Sequence, residues 1–108
     1  MILYGLSSCD TCRAAQKALR AGGQAVTFRD VRADPLTDAE RAEFVTAFGD
    51  AIVNRSSTTW RGLGAEARTL PPEALLAAHP TLMKRPVIRA GSRLLLGWKN
   101  DVQRLLLE

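Results

Sequence analysis

Two cysteines near the start of the chain, Cys9 and Cys12, have a spacing that supports several kinds of chemistry. A Cys-x-x-Cys motif is compatible with half of a zinc site, with a redox pair, or with one reactive thiol beside an inert neighbour. A structural zinc site needs four ligands, and His79 stands alone as the one other candidate ligand. We therefore expect no metal site, which leaves thiol chemistry.

Cys9 falls where a predicted strand ends and a predicted helix begins. The first-turn amides of a helix are unpaired donors with partial positive charge, so a thiolate there is stabilised and the thiol pKa falls. Arg13 lies one turn further along the same face and can reach back towards the sulfur. The adjacent Asp10 acts in the opposite direction, and we expect the helix terminus and Arg13 to outweigh it if the Asp10 side chain points outward.

Cys12 lies almost one turn inside the same helix, close enough to form a disulfide with Cys9. Such a pair can attack a substrate and then resolve the mixed disulfide internally. The alternative is that Cys12 is a small buried apolar residue. Cys9, Cys12 and Arg13 are thus the candidate catalytic residues.

The elements around these residues follow from hydrophobic periodicity and turn signals. The predicted order is β-α-β, a helical middle and β-β-α, with strands at 2–6, 25–31, 87–89 and 93–96 and helices at 10–21, 37–49, 71–80 and from 100 onward. Within this order we predict the apolar stripe of the first helix at Ala14, Ala15, Ala18 and Leu19, a loop at residues 54–64 and a β-hairpin turn at residues 90–92. Capping boxes are predicted at Thr37 with Glu40 and at Asn100 with Gln103. This order predicts an α/β, thioredoxin-like fold, in which a mixed sheet of about four strands has flanking helices and a helical insertion in the middle. At this length we expect residues 1–108 to form a single domain.

The chain carries 15 Lys and Arg against 11 Asp and Glu, a net charge of +4. The basic residues are either a solvated surface or, in part, a group of arginines that bind an anionic ligand bidentately. Only six aromatic residues are present, and no basic block is interleaved with them, which argues against nucleic-acid binding. The N-terminus lacks a signal-peptide pattern, and no apolar run approaches the roughly 18 residues of a membrane span. We expect a soluble, cytoplasmic monomer.

Five segments together carry a resemblance to a known family: Leu3-Tyr4-Gly5, Ser8–Arg13, Asn54–Arg61, Lys84–Ile88 and Leu95–Trp98. On these motifs the chain resembles the arsenate-reductase-like branch of the thioredoxin superfamily, which includes ArsC, the Spx regulators and the small YffB-type proteins. The Thr-Thr-Trp-Arg and Leu-Leu-Gly-Trp segments favour the YffB-type subgroup. The likeness runs over essentially the whole chain.

The resemblance implies a role for residues outside the first helix. Cys9 would be the nucleophilic or redox thiol, Arg55 and Arg85 would bind the oxyanion or thiolate, and Pro86 would be a cis-proline facing the cysteine. One departure is that ArsC enzymes carry a further arginine where this chain reads Leu95–Trp98, which argues against high activity on arsenate. A second is Cys12, which ArsC proteins typically lack and many Spx proteins share.

The resemblance and the residues together predict an oxidoreductase. The leading expectation is a thiol-disulfide oxidoreductase acting through Cys9, with no bound cofactor and with glutathione as co-substrate. A small thiol or oxyanion is the expected substrate class. The alternatives are an arsenate reductase with glutaredoxin as redox partner, and a Spx-like, redox-sensing regulator that binds RNA polymerase.

Overall fold

Four strands form one mixed sheet in the computed structural model, which describes all 108 residues. They are β1 (Ile2–Gly5), β2 (Thr27–Asp30), β3 (Val87–Ala90) and β4 (Arg93–Leu96), in the spatial order β2-β1-β3-β4. β1 pairs in parallel with β2 and antiparallel with β3, and β3 pairs antiparallel with β4. The predicted four-stranded mixed sheet is confirmed.

Six helices accompany the sheet. They are α1 (Asp10–Ala21), α2 (Asp38–Phe48), α3 (Thr58–Arg61), α4 (Ala65–Arg68), α5 (Pro72–Ala78) and α6 (Asn100–Leu107), with 3₁₀ turns at Gly49–Ile52 and Pro80–Leu82. None of these helices is both long and apolar enough to traverse a lipid bilayer. The chain groups into two compact units, residues 1–34 with 85–108 and residues 35–84. Whether they behave as the single domain expected for residues 1–108 stays a prediction.

The core of the first unit explains why α1 forms where it does. One face of the helix buries Cys12, Ala15 and Leu19, which recur at the three- and four-residue spacing of a helical stripe. These side chains pack with Leu3 of β1 and Ile88 of β3. Burial of such side chains supplies the main driving force for this packing.

The predicted apolar stripe of α1 differs from the observed one. The sequence pattern placed Ala14 and Ala18 in the stripe, yet Ala14 is exposed and Ala18 is half-buried. Each helical residue turns the side chain by about 100°, so the face centred on Ala15 and Leu19 extends back to Cys12 and not to Ala14. Cys12 is therefore part of the core.

The second unit is helical, as the pattern of residues 35–84 predicts. Thr37 caps α2 through a complete capping box with Glu40, which confirms that prediction. Gly49 ends α2 with a φ of 57°, a backbone conformation that disfavours side chains with a Cβ. Phe44 of α2 is fully buried in this unit.

Three local predictions need correction. The stretch 54–64 is not a loop throughout, because Ser57 caps the short helix α3 by accepting a hydrogen bond from the Trp60 amide. The second strand is shorter than the predicted 25–31. The capping box at Asn100 is absent, because Lys99 and not Asn100 is the N-cap of α6, and the Gln103 side chain donates to the Trp98 carbonyl at 2.8 Å.

Candidate active site

Cys9 occupies the N-cap of α1, as predicted from its place between strand and helix. Its backbone is extended, with φ −85° and ψ 117°, and its amide donates to the Leu6 carbonyl at 3.0 Å. The Cys12 amide donates to the Cys9 sulfur at 3.4 Å, an N-cap hydrogen bond in which sulfur is the acceptor. The helix therefore directs one of its unpaired first-turn N–H groups at the thiol.

Opposing influences set the pKa of the Cys9 thiol. Partial burial raises the pKa, because it removes water from around the charged form. Hydrogen bonds from the Cys12 amide and the Cys12 thiol, together with a hydrogen bond and a positive charge from Arg85, lower it more. The pKa of Cys9 consequently lies below its ordinary value, which favours a reactive thiolate.

Arg85 and Pro86 lie directly before β3. The peptide bond between them is cis, which confirms the conformation that the resemblance implies. Pro86 is buried, whereas Arg85 is half-buried with its Nε atom removed from solvent. The first unit thus brings a guanidinium from the other end of the chain to the Cys9 thiolate.

Cys12 has the opposite character to Cys9. Its side chain is fully buried, and burial followed by the nearby Cys9 sulfur raises the pKa of its thiol to about 12. Gly5 lies against it so closely that a Cβ built at Gly5 would overlap the Cys12 sulfur. Cys12 therefore remains a thiol at neutral pH, and it donates a hydrogen bond to Cys9 instead of competing as a nucleophile.

The Arg13 guanidinium contacts residues that lie next to Cys9 or close to it in the sequence. It forms an ion pair with the exposed carboxylate of Asp10 and donates to the Ser7 carbonyl at 3.4 Å. Asp10 points outward, with 92% of its side chain exposed, as the sequence argument requires. Among the two arginines of this unit that the sequence singled out, Arg85 is the one that lowers the Cys9 pKa. A catalytic role for Arg13 stays a prediction.

Asp30, at the end of β2, was not among the predicted site residues. Its carboxylate accepts a hydrogen bond from the Ser7 amide at 2.9 Å, and the Ser7 backbone belongs to the segment that leads into Cys9. An acidic residue that ends a strand and precedes a turn often accepts hydrogen bonds from the amides that follow it, and that signal was available in the sequence. The contact with Ser7, which is 23 positions away in the chain, could not be predicted from the sequence.

Arg55 belongs to the second unit, where its contacts are local. Its guanidinium donates to the Asp50 carbonyl at 3.3 Å, lies 3.6 Å from an Asp50 carboxylate oxygen and lies over the Trp60 ring at 5.2 Å. Arg68 lies over the same ring at 5.5 Å. Thr59 hydrogen-bonds to Thr81 at 2.8 Å, consistent with a packing role for this segment. The predicted oxyanion-binding role of Arg55 stays a prediction.

No group of three or more His, Cys, Asp or Glu side chains is arranged to hold a metal ion. The groups that act on the Cys9 sulfur are the thiol and the backbone amide of Cys12 and the Arg85 guanidinium. This set of donors suits an anionic sulfur or an oxyanion.

Comparison with known proteins agrees with this geometry. Residues 4–105 match the profile of the ArsC family. An uncharacterized protein of Haemophilus influenzae is 35% identical over 103 residues, covering 91% of this chain and 90% of its own length. The global transcriptional regulator Spx 1 of Bacillus cereus is 31% identical over 111 aligned positions, covering 97% of this chain and 85% of its own.

Solved structures show the same fold. The protein named YFFB (PA3664) superposes with a TM-score of 0.87 at 29% identity, covering 99% of this chain and 98% of its own. An arsenate reductase (ArsC) related protein from Brucella melitensis superposes with a TM-score of 0.75 at 29% identity, covering 95% of this chain and 89% of its own. The chain therefore has the thioredoxin-like fold and belongs to the ArsC family, a thiol-dependent, reductase-type family.

Proposed function

We propose that this protein is a cytoplasmic thiol-disulfide oxidoreductase in which Cys9 is the nucleophile and glutathione is the co-substrate. One observation carries the proposal: the Cys9 sulfur accepts hydrogen bonds from Cys12 and faces the Arg85 guanidinium, so its pKa lies below the ordinary value. A thiolate at a helix N-terminus beside an arginine is an arrangement that promotes thiol exchange at neutral pH.

In the first step the Cys9 thiolate attacks one sulfur of a substrate disulfide. A bond forms between the Cys9 sulfur and that sulfur, the substrate disulfide breaks, and the other half leaves as a thiolate that takes up a proton. Formation of the mixed disulfide removes the negative charge from Cys9. The Cys9 charge is one of the causes that raise the Cys12 pKa, so its loss makes the Cys12 proton easier to remove.

In the second step the Cys12 sulfur attacks the Cys9 sulfur, and the Cys12 proton passes to the departing substrate sulfur. The substrate thiol leaves, and a Cys9–Cys12 disulfide remains, so the substrate has gained two electrons that the two cysteines have lost. Two glutathione molecules then return the pair to the dithiol and become glutathione disulfide. Glutathione carries two carboxylates, and a guanidinium such as that of Arg85 suits a carboxylate.

The test measures exchange on a mixed disulfide of glutathione with a small thiol, using wild type, Cys9→Ser and Cys12→Ser. We expect Cys9→Ser to abolish exchange. Cys12→Ser keeps the Cys12 amide that donates to Cys9 and should retain the first step while accumulating the mixed disulfide. Equal rates for wild type and Cys9→Ser would contradict the proposal.

A second candidate function is regulation of transcription. The observation in its favour is the 31% identity to Spx 1 over 97% of this chain. In that case a Cys9–Cys12 bond would act as a switch for binding RNA polymerase. The test is a pull-down with the C-terminal domain of the polymerase α-subunit in both redox states, and absence of binding in both would exclude it.

Reduction of arsenate is a third candidate, carried by membership of the ArsC family. Cys9 would attack arsenate while arginines bind its oxygens, and glutathione with glutaredoxin would supply the electrons. The residues Leu95–Trp98 offer no further arginine, so we expect little arsenite to form. Measurement of arsenite production in the presence of both reductants decides this.

A further inference from the structure

The Asp30 carboxylate joins two segments of the first unit through three backbone amides. One oxygen accepts from the Ser7 amide at 2.9 Å, and the other accepts from the amides of Arg32 at 2.8 Å and Ala33 at 3.1 Å. All three distances are those of good hydrogen bonds. One side chain therefore ties the segment before Cys9 to the turn after β2.

Strand pairing explains why Asp30 can reach Ser7. Gly5, the last residue of β1, is paired with Asp30 in the parallel ladder, and the Val31 amide donates to the Gly5 carbonyl at 2.9 Å. The chain leaves β1 at this point and turns, with the Cys9 amide closing the turn on the Leu6 carbonyl. The ladder thus delivers the Asp30 carboxylate to the start of that turn.

The Ser7 backbone is held on both sides. Asp30 accepts from its N–H, and Arg13 donates to its carbonyl at 3.4 Å. Ser7 and Ser8 are exposed, so no burial of their side chains fixes this turn. Leu6 anchors the start of the turn by its burial, hydrogen bonds to the backbone hold the rest, and the turn ends at the residue that carries the reactive sulfur.

We propose that Asp30 is a positioning residue for Cys9: by accepting from the Ser7 amide it fixes the turn that sets the Cys9 sulfur against the Cys12 amide and Arg85. Asp30 touches no reacting atom and acts through the Ser7 backbone, as supporting groups do around other reactive side chains. The inference rests on the proposed chemistry of Cys9.

A direct effect of the Asp30 charge and an effect of its position would change the Cys9 pKa in opposite directions. A carboxylate near a thiolate disfavours the charged form, so its charge alone would raise the Cys9 pKa, and removing the charge would lower it. If Asp30 instead positions Cys9, loss of the contact with Ser7 weakens the alignment with Cys12 and Arg85, and the Cys9 pKa rises. The sign of the change therefore separates the two effects.

The substitution Asp30→Asn separates the contact with Ser7 from the turn after β2. An asparagine has one acceptor oxygen, and the two amides of Arg32 and Ala33 will orient that oxygen towards the turn. Its NH₂ group then faces the Ser7 N–H, and two donors cannot bond. Asp30→Asn thus keeps the turn and removes the Ser7 contact, whereas Asp30→Ala removes both.

The experiment measures the rate of alkylation against pH for wild type, Asp30→Asn and Asp30→Ala, with mass spectrometry to count adducts. Asp101→Asn is the charge-matched control, because Asp101 is an exposed residue of α6. We expect both Asp30 variants to raise the Cys9 pKa, so that alkylation below that pKa slows by about threefold, and the control to match wild type. A Cys9 pKa that falls or is unchanged in Asp30→Asn overturns the proposal.

Hydrogen exchange of the Ser7 amide is the second measurement. We expect this amide to be protected in wild type and in Asp101→Asn and to exchange faster in Asp30→Asn, in protein shown by circular dichroism to be folded. Equal protection in Asp30→Asn and wild type overturns the proposal even if Asp30→Ala does not fold. If Cys9 of the wild type has an ordinary pKa, the proposed thiol chemistry fails. The exchange rate of the Ser7 amide then tests the contact with Asp30 by itself.

Discussion

The Cys12 amide donates a hydrogen bond of 3.4 Å to the Cys9 sulfur, so Cys9 caps the first turn of the helix that contains Cys12. This relationship gives them different protonation states. Cys9 is half-exposed with a lowered pKa, whereas Cys12 is buried with a pKa raised to about 12. A nucleophile and a resolving thiol are thereby distinguished by their positions in α1.

The Cys12 thiol contributes to the low pKa of Cys9 separately from the Cys12 amide. Cys12→Ala removes the thiol donor and retains the amide, so we expect the Cys9 pKa to rise. Cys12→Ser retains a donor of similar size, and the Cys9 pKa should rise less. Alkylation rates of wild type and both variants against pH provide the measurement, and a Cys9 pKa in Cys12→Ala equal to that of wild type would show that the thiol contributes nothing.

Arg85 is the positive charge that acts on Cys9. Arg85→Gln removes that charge, so we expect a higher Cys9 pKa and slower exchange with glutathione mixed disulfides at neutral pH, by about tenfold or less for a shift of one pKa unit. Arg104→Gln is the matched control, because Arg104 is an exposed residue of α6. If the two variants have the same Cys9 pKa, the assignment to Arg85 fails.

Gly5 has no room for a side chain. A Cβ there would overlap the Cys12 sulfur and lie 3.2 Å from the Cys12 Cβ, so we expect Gly5→Ala to lower the free energy of unfolding by about 1–3 kcal/mol. Urea denaturation measures the change. The control Gly22→Ala meets its nearest atoms at 3.5 Å and should be tolerated.

The overlap at Gly5 also predicts a specific rescue. Cys12→Ala removes the sulfur that a Gly5 side chain would strike, so Gly5→Ala should cost less stability in a Cys12→Ala background than in wild type. A double-mutant cycle measures this coupling. Simple additivity of the two changes would show that the sulfur is not the obstacle.

The stability of the protein should depend on Asp30 in acid. The Ser7 amide, and after it those of Ala33 and Arg32, hold the pKa of the Asp30 carboxyl at about 2, below its value of 3.8 in an unfolded chain. The folded state therefore gains stability from Asp30 above about pH 4 and loses it as the pH falls towards about 2. We expect this loss to be smaller in Asp30→Asn.

Urea denaturation of both proteins between about pH 2 and pH 5 measures this dependence. The difference in unfolding free energy between wild type and Asp30→Asn should shrink as the pH falls, because protonation removes the charge that the variant lacks. A difference that stays constant across this range would contradict the role of the ionised carboxylate.

Prediction from the sequence succeeds where the interactions are local. The Cys9 N-cap, the capping box of Thr37 with Glu40 and the hairpin around Gly91 each depend on residues within a few positions of one another. The predicted capping box at Asn100 is wrong because Lys99, and not Asn100, has the extended backbone of the N-cap. The predicted stripe of α1 included Ala14, whose side chain lies about 100° around the helix from that of the buried Ala15.

The amino-acid sequence by itself therefore determined the order of the elements, the place of Cys9 at the start of α1 and the neighbourhood of Cys12, because hydrophobic periodicity and helix capping are short-range effects. Only the tertiary structure decided that Arg85 lowers the Cys9 pKa and that Asp30 accepts from the Ser7 amide. These contacts arise from strand pairing between segments far apart in the chain. The register of the sheet, and not local spacing, determines which residues meet in these contacts.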